Sequence, residues 1–302
     1  MIEILQSGWM TTIQDTGRNG FQAYGVPTSG AFDPFLARVA NKLVGNSFDQ
    51  PFLEFAIAGP SLAFHVDAVM AVCGSGLIYE LDGSRIPEFS AVRVRAGAKL
   101  NFVRMNGWYG YLAAAGGFDV DPILGSASTS LAAGIGKRLM KDDQLKVRSH
   151  STELYSLRPG YWNYPQESVL HLLPSLHTSH FQERERRKIA DHSYRISPQS
   201  NRMGIRFQGA TLEAPSIRRS VPAIPGTVQI PRDGLPIILG PEGPTTGGYA
   251  QMAVISRLSW TVLAVQKPGE TIRFDWLNVE DARRMWNFRE KLLDSPEAWA
   301  RI

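Results

Sequence analysis

Ala96-Gly97-Ala98-Lys99-Leu100-Asn101-Phe102 and Pro268-Gly269-Glu270-Thr271-Ile272-Arg273-Phe274 share one plan: a glycine turn, then a strand that closes on phenylalanine. Apolar and polar residues alternate after each glycine, the period of a strand with one buried face. Asp142-Asp143-Gln144-Leu145-Lys146-Val147 is a shorter version of the same plan. Because the two long copies fall in opposite halves of the chain, the expected fold is mainly β. It has two β-barrel-like lobes and a few short helices. Ala68 to Cys73, Val92 to Phe102, Tyr109 to Ala115, Leu235 to Leu239, Thr261 to Gln266 and Thr271 to Trp276 read as strands. Nearly all of these runs are bounded by glycine, proline or Asp/Asn pairs. The polar, proline-bearing stretch from Ser149 to Pro165 is the expected linker, giving lobes 1–158 and 159–302.

The helices carry their own punctuation. Asp33 precedes Pro34, an N-cap followed by the ring that fits the first helical position. Apolar residues then recur at Phe35, Leu36, Val39, Ala40, Leu43 and Val44 until Gly45. Asn278 caps a second expected helix through Val279, Ala282, Met285 and Trp286 to Leu293, and a charged third spans His180 to Ala190.

At 302 residues with a net charge of +4, the chain has room for a large core and no marked charge excess. Basic residues are scattered, and the densest run, Glu183-Arg184-Glu185-Arg186-Arg187-Lys188, alternates with acids. That pattern fits a solvated helix face, so no nucleic-acid partner is expected. No membrane association is expected either, since no apolar run approaches the roughly 18 residues of a span. The N-terminus lacks the basic and apolar regions of a signal peptide, and the single cysteine, Cys73, excludes an internal disulfide, which points to the cytoplasm. Cys73 sits in an apolar run and reads as a small hydrophobe. His177 and His180 have no third ligand placed around them, so no metal site is expected.

Five polar, glycine-rich segments interrupt the strands: 14–18, 25–33, 116–129, 200–204 and 245–249. Thr245-Thr246-Gly247-Gly248-Tyr249 lets the backbone approach a ligand and turn N–H groups towards an anion. Asn201 and Arg202 offer an amide and a planar guanidinium, suited to a carboxylate or phosphate. Together they describe a site for a small anionic substrate, with Arg202 as a catalytic candidate and Asn201 and Thr245 to Tyr249 as binding groups. The same residues also suit loop turns with Arg202 in a structural ion pair. Asp33 is both an N-cap and a catalytic candidate, while Asp15 and Arg18 read as a turn closed by a local ion pair. No P-loop, dinucleotide fingerprint or nucleophile elbow is present.

In order, the chain carries Gln14-Asp15-Thr16-Gly17-Arg18, Gly30-Ala31-Phe32-Asp33, Ala40-Asn41-Lys42-Leu43-Val44-Gly45-Asn46 and Ala115-Gly116-Gly117-Phe118-Asp119. Leu124-Gly125-Ser126, Ser200-Asn201-Arg202-Met203-Gly204 and Thr245-Thr246-Gly247-Gly248-Tyr249 follow. This series resembles the biotin-dependent carboxyltransferase / allophanate hydrolase subunit 2 family. That family includes C subunits of bacterial 5-oxoprolinases, the KipA-like regulators and part of the carboxyltransferase domain of urea carboxylases. The resemblance implies cyclophilin-like lobes, and partnership with a B-type and an A-type subunit. It further implies ATP, with Mg2+, shared with those partners to open the lactam of 5-oxoproline. The implied route is phosphorylation of the lactam oxygen, so that water attacks a better electrophile. Two alternatives stand beside it: a carboxyltransferase acting on urea or a similar amide, and a KipA-like partner without catalysis. Met140-Lys141 lacks the sequence context of a biotinyl lysine, so no covalently bound biotin is expected on this chain. Pro174-Ser175-Leu176-His177, Ala127, Glu242-Gly243-Pro244 and Ala250 depart from the family pattern.

Overall fold

The computed structural model describes residues 1–148 and 153–302. They form two compact units: Met1–Arg18 with Ser29–Tyr164 and Glu290–Ile302, and Asn19–Thr28 with Pro165–Arg289. The expected division at 158/159 therefore falls elsewhere, and each unit takes in a segment distant in sequence. The reason at the C-terminus is backbone pairing. Tyr155–Leu157 runs antiparallel to Trp299–Arg301, which ties the chain's last strand to the first unit. Within the expected linker, residues 149–152 lie outside the described residues. The remainder is structured: Trp162 packs on Phe35, and Tyr164 on Phe89.

Besides that two-stranded pair, the described residues of the first unit form two larger sheets. One is ordered Gln144–Leu145, Ile2–Gln6, Ser61–Phe64, Lys99–Arg104, Ile78–Leu81 and Ser84–Arg85. The other is ordered Thr12–Gln14, Phe52–Ala56, Tyr109–Ala114, Ala68–Cys73 and Val92–Val94. Alternate residues of the two, among them Ile2, Ile4, Leu62, Tyr79 and Leu100 with Leu53, Phe55, Met70, Val72 and Leu112, form one buried cluster. Tyr109–Ala114 and Ala68–Cys73 are buried at every position, because a helix covers their other face. That helix, α1 (Pro34–Leu43), is the one expected from its cap. Asp33 accepts from the Phe35 and Leu36 amides, and Phe35, Leu36, Val39, Ala40 and Leu43 are all buried.

The second unit is a closed barrel of seven strands. Its order is Val169–Pro174, Ala250–Ile255, Thr227–Ile230, Ile237–Leu239, Gly204–Gln208, Ser193–Ile196 and Thr271–Trp276. A parallel pairing of the first strand with the last, Val169 opposite Arg273, closes it. Tyr194 and Phe207 pack edge-on against Phe274 inside, at 5.3 and 5.4 Å between ring centres. Helix α2 (Glu183–Asp191) lies on Thr271–Trp276, and α3 (Ser259–Val265) on Val169–Pro174. Helix α4 (Val279–Asp294) begins at Asn278, whose Oδ1 accepts from the Asp281 amide at 2.8 Å.

The mainly β reading holds: among the described residues there are four α-helices, and the second unit is a closed barrel. The two glycine turns of the repeated plan are alike in three dimensions. Gly97 and Gly269 have φ of 92° and 95°, and no atom lies where a side chain would go. One expected strand is a helix. Residues 261–265 belong to α3, with Gln266 as its extended C-cap; the helix is buried from Ser259 to Ala264, and a run buried all round carries no periodicity to tell the two apart. Ser259 marks its start, its amide donating to the Ser256 carbonyl and its hydroxyl accepting from the His171 amide. Among the described residues no helix is long and apolar enough to cross a membrane.

Candidate functional site

Asp33 is where its sequence context puts it, at the start of α1 and 1% exposed. Its Oδ1 accepts from the Phe35 and Leu36 amides at 2.9 and 3.4 Å, and its own amide donates to the Tyr111 hydroxyl at 2.7 Å. Glu54 accepts from the neighbouring Phe32 amide at 2.6 Å. Burial, then the nearby Glu54 and Asp33 carboxylates, push the Tyr111 phenol well up, so it stays protonated. In this geometry Asp33 is an N-cap.

Segment 14–18 behaves differently from the ion-paired turn that its sequence suggests. The Asp15 carboxylate accepts from the Gly17 amide (2.8 Å), the Ser126 hydroxyl (2.6 Å), the Ala127 amide (2.6 Å) and the Ser128 hydroxyl (2.5 Å). Three of those donors converge on Oδ1 and one reaches Oδ2. Arg18 instead donates from Nε to the Ile123 carbonyl at 2.8 Å, and from Nη2 to the carbonyls of Ser126 and Ser128 at 3.3 and 2.8 Å. The expected Asp15–Arg18 pair is not among the ion pairs of the described residues. Gly125, Ser126 and Ser128 thus serve to fold a loop around the 14–18 turn.

In the second unit, Arg202 and Glu242 are both buried, and Arg202 Nε donates to Glu242 Oε1 at 2.5 Å. This is the structural ion pair that the sequence left open for Arg202. The Glu242 amide also donates to the Arg202 carbonyl at 3.0 Å, which brings segment 200–204 beside the start of 245–249. Asn201 is exposed, and its Oδ1 accepts from the Met203 and Gly204 amides at 2.8 and 3.3 Å, closing a local turn. Thr246–Gly247 pairs with Val221–Pro222, and the Thr245 carbonyl accepts from Ala223 at 2.9 Å. Beneath Gly247 lies the buried Gln229, whose Nε2 blocks the place where a Cβ would stand. A side chain there would have to displace the end of the Gln229 side chain.

Gly248 and Tyr249 line a groove of about 870 Å³ in this unit. Its other walls include Lys188 from α2, Arg232 and Asp233 from the turn after Thr227–Ile230, and Glu213. Asn201, Arg202, Thr245, Thr246 and Gly247 are not part of its lining. The cations of the groove are therefore Lys188 and Arg232, which the sequence reading passed over. Pro231-Arg232-Asp233-Gly234 is a turn signal whose arginine was legible, but nothing in spacing joins it to Lys188. Asp233 Oδ1 accepts from the Leu235 amide and Glu213 pairs with Arg184, so both carboxylates are engaged. Among the described residues no group of three His, Cys, Asp or Glu side chains could hold a metal ion. His177 and His180 lie with ring centres 5.6 Å apart, and His177 Nδ1 accepts from the Gln251 amide at 3.2 Å.

A half-buried group was also missed. Glu88 accepts from the Gly74 amide at 2.9 Å and from the Tyr164 hydroxyl, and burial pushes its carboxyl up to about 7. Cys73, next to Gly74, is fully buried, and burial followed by the Glu88 charge raises its thiol well above the usual range. The thiol is inert packing, as its apolar run suggests.

The sequence matches the carboxyltransferase domain, subdomain A and B, over residues 24–276. It is 35% identical to the C-type subunit of the Escherichia coli 5-oxoprolinase over 93% of each chain, and 34% identical to its Haemophilus influenzae counterpart over 97% of each. The crystal structure of the Kluyveromyces lactis urea amidolyase superposes with a TM-score of 0.90 at 26% identity over 99% of this chain. There this chain spans only 20% of the larger protein's length. On the extent of these matches, the chain belongs to the carboxyltransferase domain, subdomain A and B, family.

Proposed function

We propose that this chain is the C-type subunit of an ATP-dependent 5-oxoprolinase and acts with a B-type and an A-type partner. The observation that carries this reading is the end-to-end match to the two bacterial 5-oxoprolinase subunits of that type, 93% and 97% of whose lengths are covered. In the proposed reaction ATP phosphorylates the lactam oxygen and water opens the ring. Glutamate, ADP and inorganic phosphate leave. The chain supplies donors to anionic groups of the reactants, and Lys188 and Arg232 in the barrel-unit groove are suited to a carboxylate or phosphate. Magnesium would enter with the nucleotide, held by its phosphates. The sequence pattern argues for the cytoplasm as the compartment.

Co-expression with the neighbouring B-type and A-type subunits, followed by ATPase assay, tests the reading. Release of phosphate stimulated by 5-oxoproline, with glutamate formed in equal amount, is the expected result. A stable complex whose ATPase ignores 5-oxoproline would refute it and favour a KipA-like partner without catalysis. A second reading, a carboxyltransferase acting on urea, draws on the likeness to urea amidolyase across 99% of this chain. Urea-stimulated ATP hydrolysis with a biotin carrier present is its signature.

A further inference from the structure

Arg18 is 1% exposed and carries its charge without a carboxylate in hydrogen-bond reach. Nε and Nη2 are spent on the three carbonyls of residues 123, 126 and 128, while Nη1 is buried and has no partner. A buried donor of this kind is rare, because it forgoes water without a replacement. Burial is also the main influence on the guanidinium, lowering its pKa against the raising effect of Asp15. Three carbonyl dipoles and the field of the nearby Asp15 favour the cation, but none of them gives Nη1 an acceptor.

A second orphan stands at the same corner. Gly30 approaches Gly17 so closely that a Cβ on it would lie 3.0 Å from the Gly17 nitrogen. Ser29 adjoins Gly30 and Arg18 adjoins Gly17 in sequence, so the two orphans lie on segments that meet at this close approach. Ser29 is 6% exposed, holds φ at 58°, and its hydroxyl has no partner. The loop over Arg18 turns through Leu124 and Gly125, at φ of 52° and 78°, between Ile123 and Ser126, which exchange backbone hydrogen bonds. Ile123 and Leu124 are exposed, so the roof above the guanidinium is a surface turn and not core.

We propose that Arg18 Nη1, with the Ser29 hydroxyl, receives an oxygen of a small oxyanion, a carboxylate or phosphate, admitted beneath the 123–126 turn. The bound anion supplies an acceptor to Nη1, which makes no hydrogen bond to Asp15 or to any other group of the described residues. The site belongs to the first unit alone and does not depend on the groove of the barrel unit or on the identity of the reaction.

Calorimetric titration of the full chain with acetate, L-5-oxoproline and inorganic phosphate tests it, with neutral 2-pyrrolidinone as the uncharged control. At least one anion should bind saturably, and 2-pyrrolidinone should not; which anion binds decides between a carboxylate and a phosphoryl ligand. Ser29→Ala removes a hydroxyl that has no partner in the free chain. It should weaken binding about tenfold with no fall in melting temperature. Arg18→Lys keeps the charge but loses the planar fork, and should weaken binding by tenfold or more. Arg187→Ala, at an exposed ion pair of α2, should leave the affinity unchanged. Absence of saturable binding by all three anions would overturn the proposal. So would equal binding of 2-pyrrolidinone and 5-oxoproline, or an affinity untouched by Ser29→Ala. Where Arg18→Lys fails to fold, the serine variant alone decides.

Discussion

Arg18 in the first unit and Arg202 in the barrel unit are both buried guanidinium groups, and they are accommodated in opposite ways. Arg202 meets a buried carboxylate, Glu242, and the two form a closed pair. Arg18 hydrogen-bonds only to carbonyl oxygens, while the nearby Asp15 accepts from two hydroxyls and two amides. The difference lies in what each arrangement leaves over. A closed ion pair is electrically finished and serves the local fold. A cation set in a cradle of dipoles remains a cation, with unused capacity for an anion.

The comparison breaks first at the closed pair. Arg202→Ala strands the buried Glu242 charge, and should lower unfolding free energy by about 3–5 kcal/mol in urea titration. Arg202→Met combined with Glu242→Leu should recover most of that loss, since it removes both charges. A double variant as unstable as the single one would show that Arg202 acts through something other than its partner.

Glu88 tests the case of a half-buried carboxyl without a full cationic partner. Tyr164, the Gly74 amide and Arg85 favour its ionised form, yet burial prevails and its pKa rises from 4.5 to about 7. Between those values the folded chain keeps a proton that the unfolded chain has released. Stability therefore falls as pH rises from about 4.5 to 7, by roughly 3 kcal/mol in all, and is level above. Glu88→Gln should abolish that slope, and urea midpoints measured from pH 4.5 to 8 for both proteins will show it. A slope that survives in the variant would place its source elsewhere.

Asp33 offers a smaller effect. Asp33→Ala removes the α1 cap and should cost about 1 kcal/mol, whereas Asp33→Asn retains the acceptor oxygen and most of the stability. If the asparagine variant also keeps full activity in the assembled enzyme, the catalytic expectation for Asp33 is excluded. At the bottom of the scale lies Arg187, paired with Glu183 across one turn of α2 in open solvent. Arg187→Ala should shift stability by no more than about 0.5 kcal/mol, an effect that vanishes in high salt.

The order of effects mirrors what was legible in the sequence. Caps and turns are local, so Asp33, Asn278, Gly97 and Gly269 could be placed from their neighbours alone. The strand runs were readable wherever one face is exposed or a glycine interrupts them. Residues 261–266 were not, because an apolar stretch buried all round has no period to distinguish strand from helix. At the sites, sequence identified the segments but not their pairings. Asp15 lies three residues from Arg18 and bonds instead to residues more than a hundred positions away. Arg202 finds Glu242 forty residues on, and the groove cations Lys188 and Arg232 come from a helix and a separate turn. Which acceptor completes a buried donor is a property of the closed fold, and local spacing does not contain it.

The lone thiol of Cys73 gives the first unit a built-in clock. It lies fully buried on a strand flanked by Tyr109–Ala114 and Val92–Val94, and the chain has no second cysteine to confuse a label. A thiol reagent can modify it only while that sheet is open. The labelling rate of the unaltered protein thus reads out how often the sheet breathes, and slower labelling in the presence of an anion or a protein partner would register binding without an engineered probe.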